Sequence, residues 1–135
     1  AGVHADGKTM VCYAFAEIQG YSKFGSYTGN GNDDGTFVYT GFKPSWLMLK
    51  RTDNARPWFM FDDKRSPHNV INIRLKADSS AADDTSNDNR IDFLSNGFKI
   101  RDDALEMNAS GGSYIFMCFA SSPLVGSDGT PCTAR

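Results

Sequence analysis

The sequence predicts a single all-β domain, an antiparallel β-sandwich or jelly-roll-like fold of about nine short strands. Short aromatic and β-branched runs recur along the chain, and turns rich in Gly, Asn, Asp and Pro separate them. No run of ten residues shows the apolar spacing typical of an amphipathic helix. A chain of 135 residues with 40% hydrophobic and 13% aromatic residues is long and apolar enough to bury a core of its own.

Nine runs are predicted as strands because each is short, apolar or alternating, and bounded by turn residues. They are residues 9–17, 21–28, 36–42, 45–51, 57–62, 70–76, 91–94, 97–101 and 113–120.

Two of these runs predict how the strands are covered. Residues 113–120 are apolar on both faces, which predicts a central strand buried on both sides. In residues 70–76, Ile71, Ile73 and Leu75 alternate with polar residues, which predicts one buried and one solvated face.

Two local patterns concern the connection of strands and the repetition of a strand. Ser95-Asn96-Gly97 predicts a hairpin, because Asn-Gly favours tight turns between strands. Residues 10–16 (MVCYAFA) and 114–120 (YIFMCFA) share an apolar pattern that ends in Phe-Ala. The similarity predicts that residues 1–17 hold the closing strand of a preceding repeat, which pairs beside its counterpart or fills the edge of a neighbouring subunit.

The predicted domain therefore spans residues 1–121, and residues 122–135 form an extended C-terminal arm.

Charge and cysteine content exclude several classes of protein. The net charge is −2, from 14 Lys+Arg and 16 Asp+Glu, which argues against nucleic-acid binding. No stretch approaches the roughly 18 apolar residues of a membrane span. The cysteines Cys12, Cys118 and Cys132 are odd in number and lack metal-ligand spacing, so we expect free thiols, with Cys12 and Cys118 buried.

The sequence predicts no catalytic residues. His4 and His68 are the two histidines, and no G-x-S-x-G motif is present. A catalytic triad is therefore disfavoured, and we expect a non-enzymatic domain, with a small hydrolase as the enzymatic alternative.

Two polar stretches are candidate contact loops. Residues 29–35 (GNGNDDG) are the candidate Ca²⁺ site, because this ion prefers carboxylate and amide oxygens. They lack the EF-hand pattern, and the residues favour the alternative, a turn that uses Gly, Asn and Asp. Residues 77–90 are predicted as a solvated surface loop, with a partner or host contact as the alternative. The candidate contact residues of the two stretches are Asn30, Asn32, Asp33, Asp34, Asp83, Asp84, Asn87 and Asp88.

Aromatic residues are the remaining candidate binding groups. They would stack on sugar rings if exposed, but their usual place is the core, and Trp46 and Trp58 are predicted to be mainly buried. The candidates are Tyr21, Phe24, Tyr27, Tyr39, Trp46 and Trp58.

Five segments together resemble a domain found towards the ends of tail-fibre-like and other structural proteins of marine and cyanobacterial phages. They are residues 20–30 (GYSKFGSYTGN), 37–44 (FVYTGFKP), 50–53 (KRTD), 92–99 (DFLSNGFK) and 108–115 (NASGGSYI). In that family, too, an apolar strand ending in Phe-Ala precedes the Gly-Tyr-Ser-Lys segment. The resemblance covers about residues 9–121 and transfers no site residue.

The resemblance implies a virion structural protein, such as a tail-fibre or spike part, a capsid-surface fibre or a decoration module. We expect it to self-associate, with a trimer favoured, and to contact other virion proteins. The alternative is a carbohydrate-binding module that recognises a host surface glycan.

Overall fold

The computed structural model describes Gly7 and residues 9–122 of the protein, and these contain eight strands and no helix. These residues therefore contain no helix that is long and apolar enough to cross a membrane. The strands are β1 (Ser22–Thr28), β2 (Phe37–Tyr39), β3 (Trp46–Arg51), β4 (Trp58–Asp62), β5 (Arg74–Lys76), β6 (Ile91–Leu94), β7 (Gly97–Ile100) and β8 (Ser113–Phe119). Each lies within one of the nine predicted runs.

The strands form two antiparallel sheets. The larger sheet has the order β1-β8-β3-β4-β5 and the smaller has the order β2-β7-β6. Two sheets of antiparallel strands around one apolar layer are consistent with a β-sandwich, which confirms the predicted fold class.

The core lies between the inner faces of the two sheets. Phe98 of the smaller sheet makes edge-to-face contacts with Tyr27 and Phe116 of the larger one, with ring centroids 6.1 and 5.2 Å apart. Other fully buried side chains of this layer are Leu47, Leu49, Phe59, Phe61, Ile91, Ile100, Met107 and Tyr114.

The hairpin predicted at Ser95-Asn96-Gly97 is confirmed, since β6 and β7 pair from Leu94 and Gly97 outward. The glycine is required for space. A Cβ at Gly97 would lie 2.1 Å from the carbonyl oxygen of Val38 on the neighbouring strand. The Asn96 carbonyl accepts hydrogen bonds from the Thr40 and Gly41 N–H groups, which tie this turn to the end of β2.

The structure corrects the predictions about covered faces. β8 is central, between β1 and β3, but only one of its faces is buried: Tyr114 and Phe116 point inward, whereas Ile115 is 41% exposed. Both faces of β8 are apolar for a reason other than burial on both sides: its second face is part of an apolar outer surface.

The alternation predicted for residues 70–76 is inverted in β5. Arg74 is 2% exposed and faces inward, opposite Phe61, whereas Leu75 lies on the outer side, opposite Met60. The guanidinium lies 5.3 Å from the ring centroid of Phe59, and loop oxygens accept its hydrogen bonds, which makes burial of this cation tolerable.

Two further expectations are corrected: residues 9–17 form no strand, and Cys12 within them is exposed. Trp46 and Trp58 are mainly buried, as predicted, but they lie on the outer side of the larger sheet and not between the two sheets. Cys118 is buried as predicted, and burial raises the pKa of its thiol to about 12. His4, Cys132 and most of the predicted C-terminal arm lie outside the described residues.

Candidate interaction surface

The outer face of the larger sheet carries an apolar row that crosses all five strands. Its members are direct cross-strand neighbours: Phe24, Met117, Met48, Met60 and Leu75, in the order β1-β8-β3-β4-β5. All five are half-buried. We call this set the methionine row.

Further large side chains flank the methionine row. Trp46 and Phe119 pair on one side of it, with ring centroids 5.8 Å apart. Ile115, Lys50 and Trp58 are neighbours on the other side. The exposed side of an antiparallel sheet normally alternates to polar residues, and a contiguous apolar face of this kind is typical of an interaction site.

The N-terminal segment, residues 9–17, adds to this apolar surface. Met10, Val11, Tyr13 and Phe15 are between 54% and 80% exposed. The ring of Phe15 packs on the outer face, with its centroid 5.6 Å from that of Phe119 and 6.4 Å from that of Phe24. The segment and the outer face therefore form one continuous apolar surface.

Ser22 decides the path of the N-terminal segment. An antiparallel bridge joins Ile18 to Ser22, so the chain begins a hairpin with β1. The Ser22 Oγ then accepts a hydrogen bond from the Ile18 N–H at 2.9 Å and donates one to the Ala16 carbonyl at 2.8 Å. The Ser22 hydroxyl thus takes hydrogen bonds that the backbone of β1 would make in a longer hairpin. The segment therefore leaves β1 and runs over the outer face.

An ion pair closes the same turn. The Lys23 ammonium lies 2.5 Å from the Glu17 carboxylate, and its hydrogen bond lowers the pKa of Glu17, with a smaller contribution from the backbone of Phe24. The pair is exposed, so it orients the turn more than it stabilises the fold.

The loop at residues 29–35 is organised by Asn108, a fully buried residue from before β8. Asn108 Nδ2 shares its two hydrogens among the Asn30 Oδ1, the Asn32 carbonyl and the Asp102 carbonyl, at 2.8, 2.8 and 3.0 Å. Its Oδ1 accepts from the Asn30 N–H at 3.0 Å. The Asn30 and Asn32 side chains also accept backbone N–H groups two residues on, as in Asx turns.

The two aspartates of this loop point to cations on and beside the strands of the smaller sheet. Asp34 lies 2.5 Å from Lys99, and this hydrogen bond lowers the pKa of the carboxyl group. Asp33 lies 4.0 Å from Arg90. The amide oxygens are thus used within the loop and the carboxylates are paired, an arrangement that matches the turn interpretation of this stretch.

Residues 77–90 are mostly exposed, as predicted for a surface loop, but the buried Arg74 orders their second half. Arg74 Nη2 lies 2.8 Å from Asp84 and 2.9 Å from Asp88, and Nη1 donates to the Asp88 carbonyl. The Ser86 hydroxyl lies within hydrogen-bond distance of both carboxylates and donates its one hydrogen to either of them. This hydrogen bonding, with the charge of Arg74, lowers the pKa values of Asp84 and Asp88.

The other two candidate residues of this loop contribute less. The Asn87 Oδ1 accepts a weak hydrogen bond from Asn72 at 3.3 Å. Asp83 is exposed and borders an open groove of about 320 Å³ beside Lys76. Among the described residues, no three His, Cys, Asp or Glu side chains are placed to hold one metal ion.

A second open groove, of about 590 Å³, lies between the turn before β1 and the end of β2. Glu17, Gln19 and Lys23 line one wall, and Tyr39 and Thr40 line the other. Tyr39 is 65% exposed, which makes it the most accessible of the six aromatic candidates; Tyr27 is buried, and Tyr21, Phe24, Trp46 and Trp58 are mainly buried.

Sequence reasoning missed the main features of these sites. The signal for the methionine row was present, because Met48 and Met60 stand between buried residues in runs that are apolar on both faces. Asn108 and Arg74 carried no such signal, since their partners come from segments distant along the chain.

The fold and its surface define a small β-sandwich domain with an exposed apolar sheet face. The chain belongs to the family described as a domain of unknown function, DUF7483, whose model matches residues 1–123. No similar chain was found among curated proteins or solved structures.

Proposed function

We propose that this domain is a non-enzymatic structural module that self-associates within a phage particle, as part of a tail fibre, a spike or the capsid surface. The observation that carries the proposal is the apolar outer face, whose methionine row crosses every strand of the larger sheet. Resemblance of the five sequence segments to phage structural domains supports the virion setting.

Self-association is the simplest way to cover this face. The row itself contains no charged side chain, so a strongly charged partner finds no counter-charge along it. Methionine is flexible and polarisable, and it packs well against an identical methionine-rich surface. In a symmetric oligomer, with a trimer favoured, the same patch of every copy is buried against its neighbours.

A charge at the centre of the row is expected to break the assembly. Met48→Glu places a carboxylate where the proposal requires a dry contact, and burying an unpaired charge costs several kcal/mol. We expect self-association at least about 100-fold weaker, since 1.4 kcal/mol is a factor of ten. Native mass spectrometry and light scattering over a concentration series measure the change, and Met117→Lys repeats it with the opposite charge.

The matched control is Leu105→Glu, which makes a similar change at an apolar residue that is 53% exposed and lies in a loop. This variant should assemble like the wild type, and circular dichroism checks that all variants keep their β structure. A wild-type chain that stays monomeric up to its solubility limit contradicts the proposal. A gene locus without capsid or tail genes contradicts the virion setting.

Carbohydrate binding is the second candidate function, and the groove beside Tyr39 favours it. An exposed aromatic ring offers a stacking surface, and Gln19, Glu17 and Lys23 offer hydrogen-bonding groups across the groove. A host-recognition tip can both assemble and bind a glycan.

For this second function, Tyr39→Ala is expected to abolish glycan binding, because the stacking surface is lost. A glycan array with and without Ca²⁺ identifies the ligand, and titration calorimetry compares the variants. Leu105→Ala, at an apolar residue that is 53% exposed and does not line the groove, is the control and should bind normally. Absence of wild-type binding at millimolar glycan excludes this function.

A further inference from the structure

We infer that the N-terminal segment of one copy pairs as an added strand with the free edge of β1 in a second copy. The inference rests on the proposed self-association and adds to it a second contact, at the edge of the sheet beside the apolar outer face. Its occupant is residues 9–17 of a second copy of this chain.

β1 is an edge strand with an unused side. Among Gly7 and residues 9–122, it pairs with β8 along one side only. At its ends Gly29 donates to the Gly112 carbonyl and Ala120 donates to the Tyr21 carbonyl. Hydrogen-bonded positions alternate in an antiparallel ladder, so the backbone groups of Phe24 and Ser26 point away from β8.

At both ends of this free edge the outward backbone groups have hydrogen-bond partners, and in its middle they have none among the residues that the structure describes. The Ser22 N–H donates to Ile18, and the Thr28 carbonyl accepts from Thr36 Oγ1. The backbone of Phe24 also contributes to the lowered pKa of the Glu17 carboxyl group nearby. Within the described part of the chain, the Ser26 N–H and carbonyl have no hydrogen-bond partner, which leaves an edge short enough to select one added strand.

The N-terminal segment has the complementary properties. In the described chain, the backbone of residues 9–15 makes no hydrogen bond. Its side chains alternate in size, with Val11, Tyr13 and Phe15 separated by Cys12 and Ala14. An extended, alternating strand with unpaired backbone groups is the form that adds to a sheet edge.

The Ile18–Ser22 bridge indicates the register. Continued along β1, it places Phe15 opposite Gly25, Ala14 opposite Ser26 and Cys12 opposite Thr28. Gly25 is exposed, and the ring of Phe116 lies 3.0 Å from where a Cβ of Gly25 would be, so an aromatic residue across from Gly25 packs against this ring. In this register the small residues Ala14 and Cys12 lie on the same face of the sheet as Phe24.

Ser22 explains why this strand comes from another copy. Its Oγ holds the Ile18 N–H and the Ala16 carbonyl of the same chain, which directs that chain's own segment off the edge. A segment that arrives from a second copy pairs with residues 24–28 without passing through this turn. Exchange of an identical element is a common route to symmetric assembly.

A disulfide test between two different copies detects this contact. The first copy keeps Cys12 and carries Cys132→Ser. The second carries Cys12→Ser, Cys132→Ser and Thr28→Cys. Cys118 stays in both, because burial raises the pKa of its thiol to about 12 and keeps it unreactive. The control second copy carries Ser95→Cys, on the exposed turn between β6 and β7, in place of Thr28→Cys.

Under mild oxidation, we expect a reducible heterodimer to form about 100-fold faster with Thr28→Cys than with Ser95→Cys, since paired strands hold the thiols at millimolar effective concentration. The molecular mass measured in the same samples distinguishes the strand-pairing proposal from the proposal of self-association. An oligomer without preferential cross-linking overturns the strand pairing and leaves self-association standing. A monomer without cross-linking overturns both.

Discussion

Replacing Phe98 by alanine (Phe98→Ala) is expected to lower the free energy of unfolding by about 3–5 kcal/mol. Phe98 is fully buried and is the aromatic side chain of the smaller sheet that contacts both Tyr27 and Phe116 of the larger sheet. Its removal leaves a cavity between the sheets that rigid strands on both sides cannot close. Domains of this kind have total stabilities of about 5–15 kcal/mol, so the loss is a large fraction.

Urea denaturation followed by fluorescence measures this effect. The matched control is Phe37→Ala, on strand β2, whose side chain is 43% exposed and lies on the opposite side of the same sheet. We expect a change of about 0.5 kcal/mol or less there, as is usual for surface positions. Equal losses for the two variants would show that Phe98 does not join the sheets as described.

Asn108→Ala is expected to destabilise the fold by about 2–4 kcal/mol, an effect comparable to loss of a core side chain. The two hydrogens of the buried amide are shared among three oxygens within 3.0 Å, and its oxygen accepts one backbone N–H. Alanine leaves the Asp102 carbonyl and the Asn30 N–H without these partners, and unsatisfied buried groups cost more than a hydrogen bond contributes.

A pair of further variants separates the role of the amide from that of the residue's size. Asn108→Asp keeps the shape and the acceptor but loses the donor, so it should be destabilised at neutral pH nearly as much as alanine. Asn54→Ala, at an exposed asparagine after β3, should leave stability unchanged. Wild-type stability in Asn108→Asp would contradict the donor role assigned to Nδ2.

The strands were predictable because their residue patterns and flanking turns favour the same structure as the tertiary packing around them. The runs that became β1 to β4 and β6 to β8 combine apolar or alternating residues with flanking turn residues, and tertiary packing reinforced each choice. The Asn96-Gly97 pair predicted its hairpin correctly, although the glycine acts by making room for the carbonyl of Val38.

Residues 9–17 show where such signals fail. Their apolar pattern is as strong as that of β8, yet they form no strand, because a single hydroxyl at Ser22 takes the hydrogen bonds that would continue the hairpin. Competition between a side chain and a backbone partner depends on geometry a few residues away, and no strand propensity includes it.

The candidate contact loops were located correctly as exposed polar segments, but their internal order was not predictable. Asn108 lies 78 positions from Asn30, and Arg74 reaches Asp88 across 14 positions. Each loop takes its shape from one buried side chain that the fold brings to it.

The sequence by itself determined the strands, their antiparallel class and the apolar layer between two sheets, because short-range alternation and turn chemistry set these features. The tertiary structure alone decided that Arg74 points inward, that residues 9–17 leave the sheet, and that one face of β8 stays uncovered. Alternation shows that a strand has two distinct faces, but which face is buried depends on the layers that pack against it. That dependence leaves the methionine row on the surface of this domain.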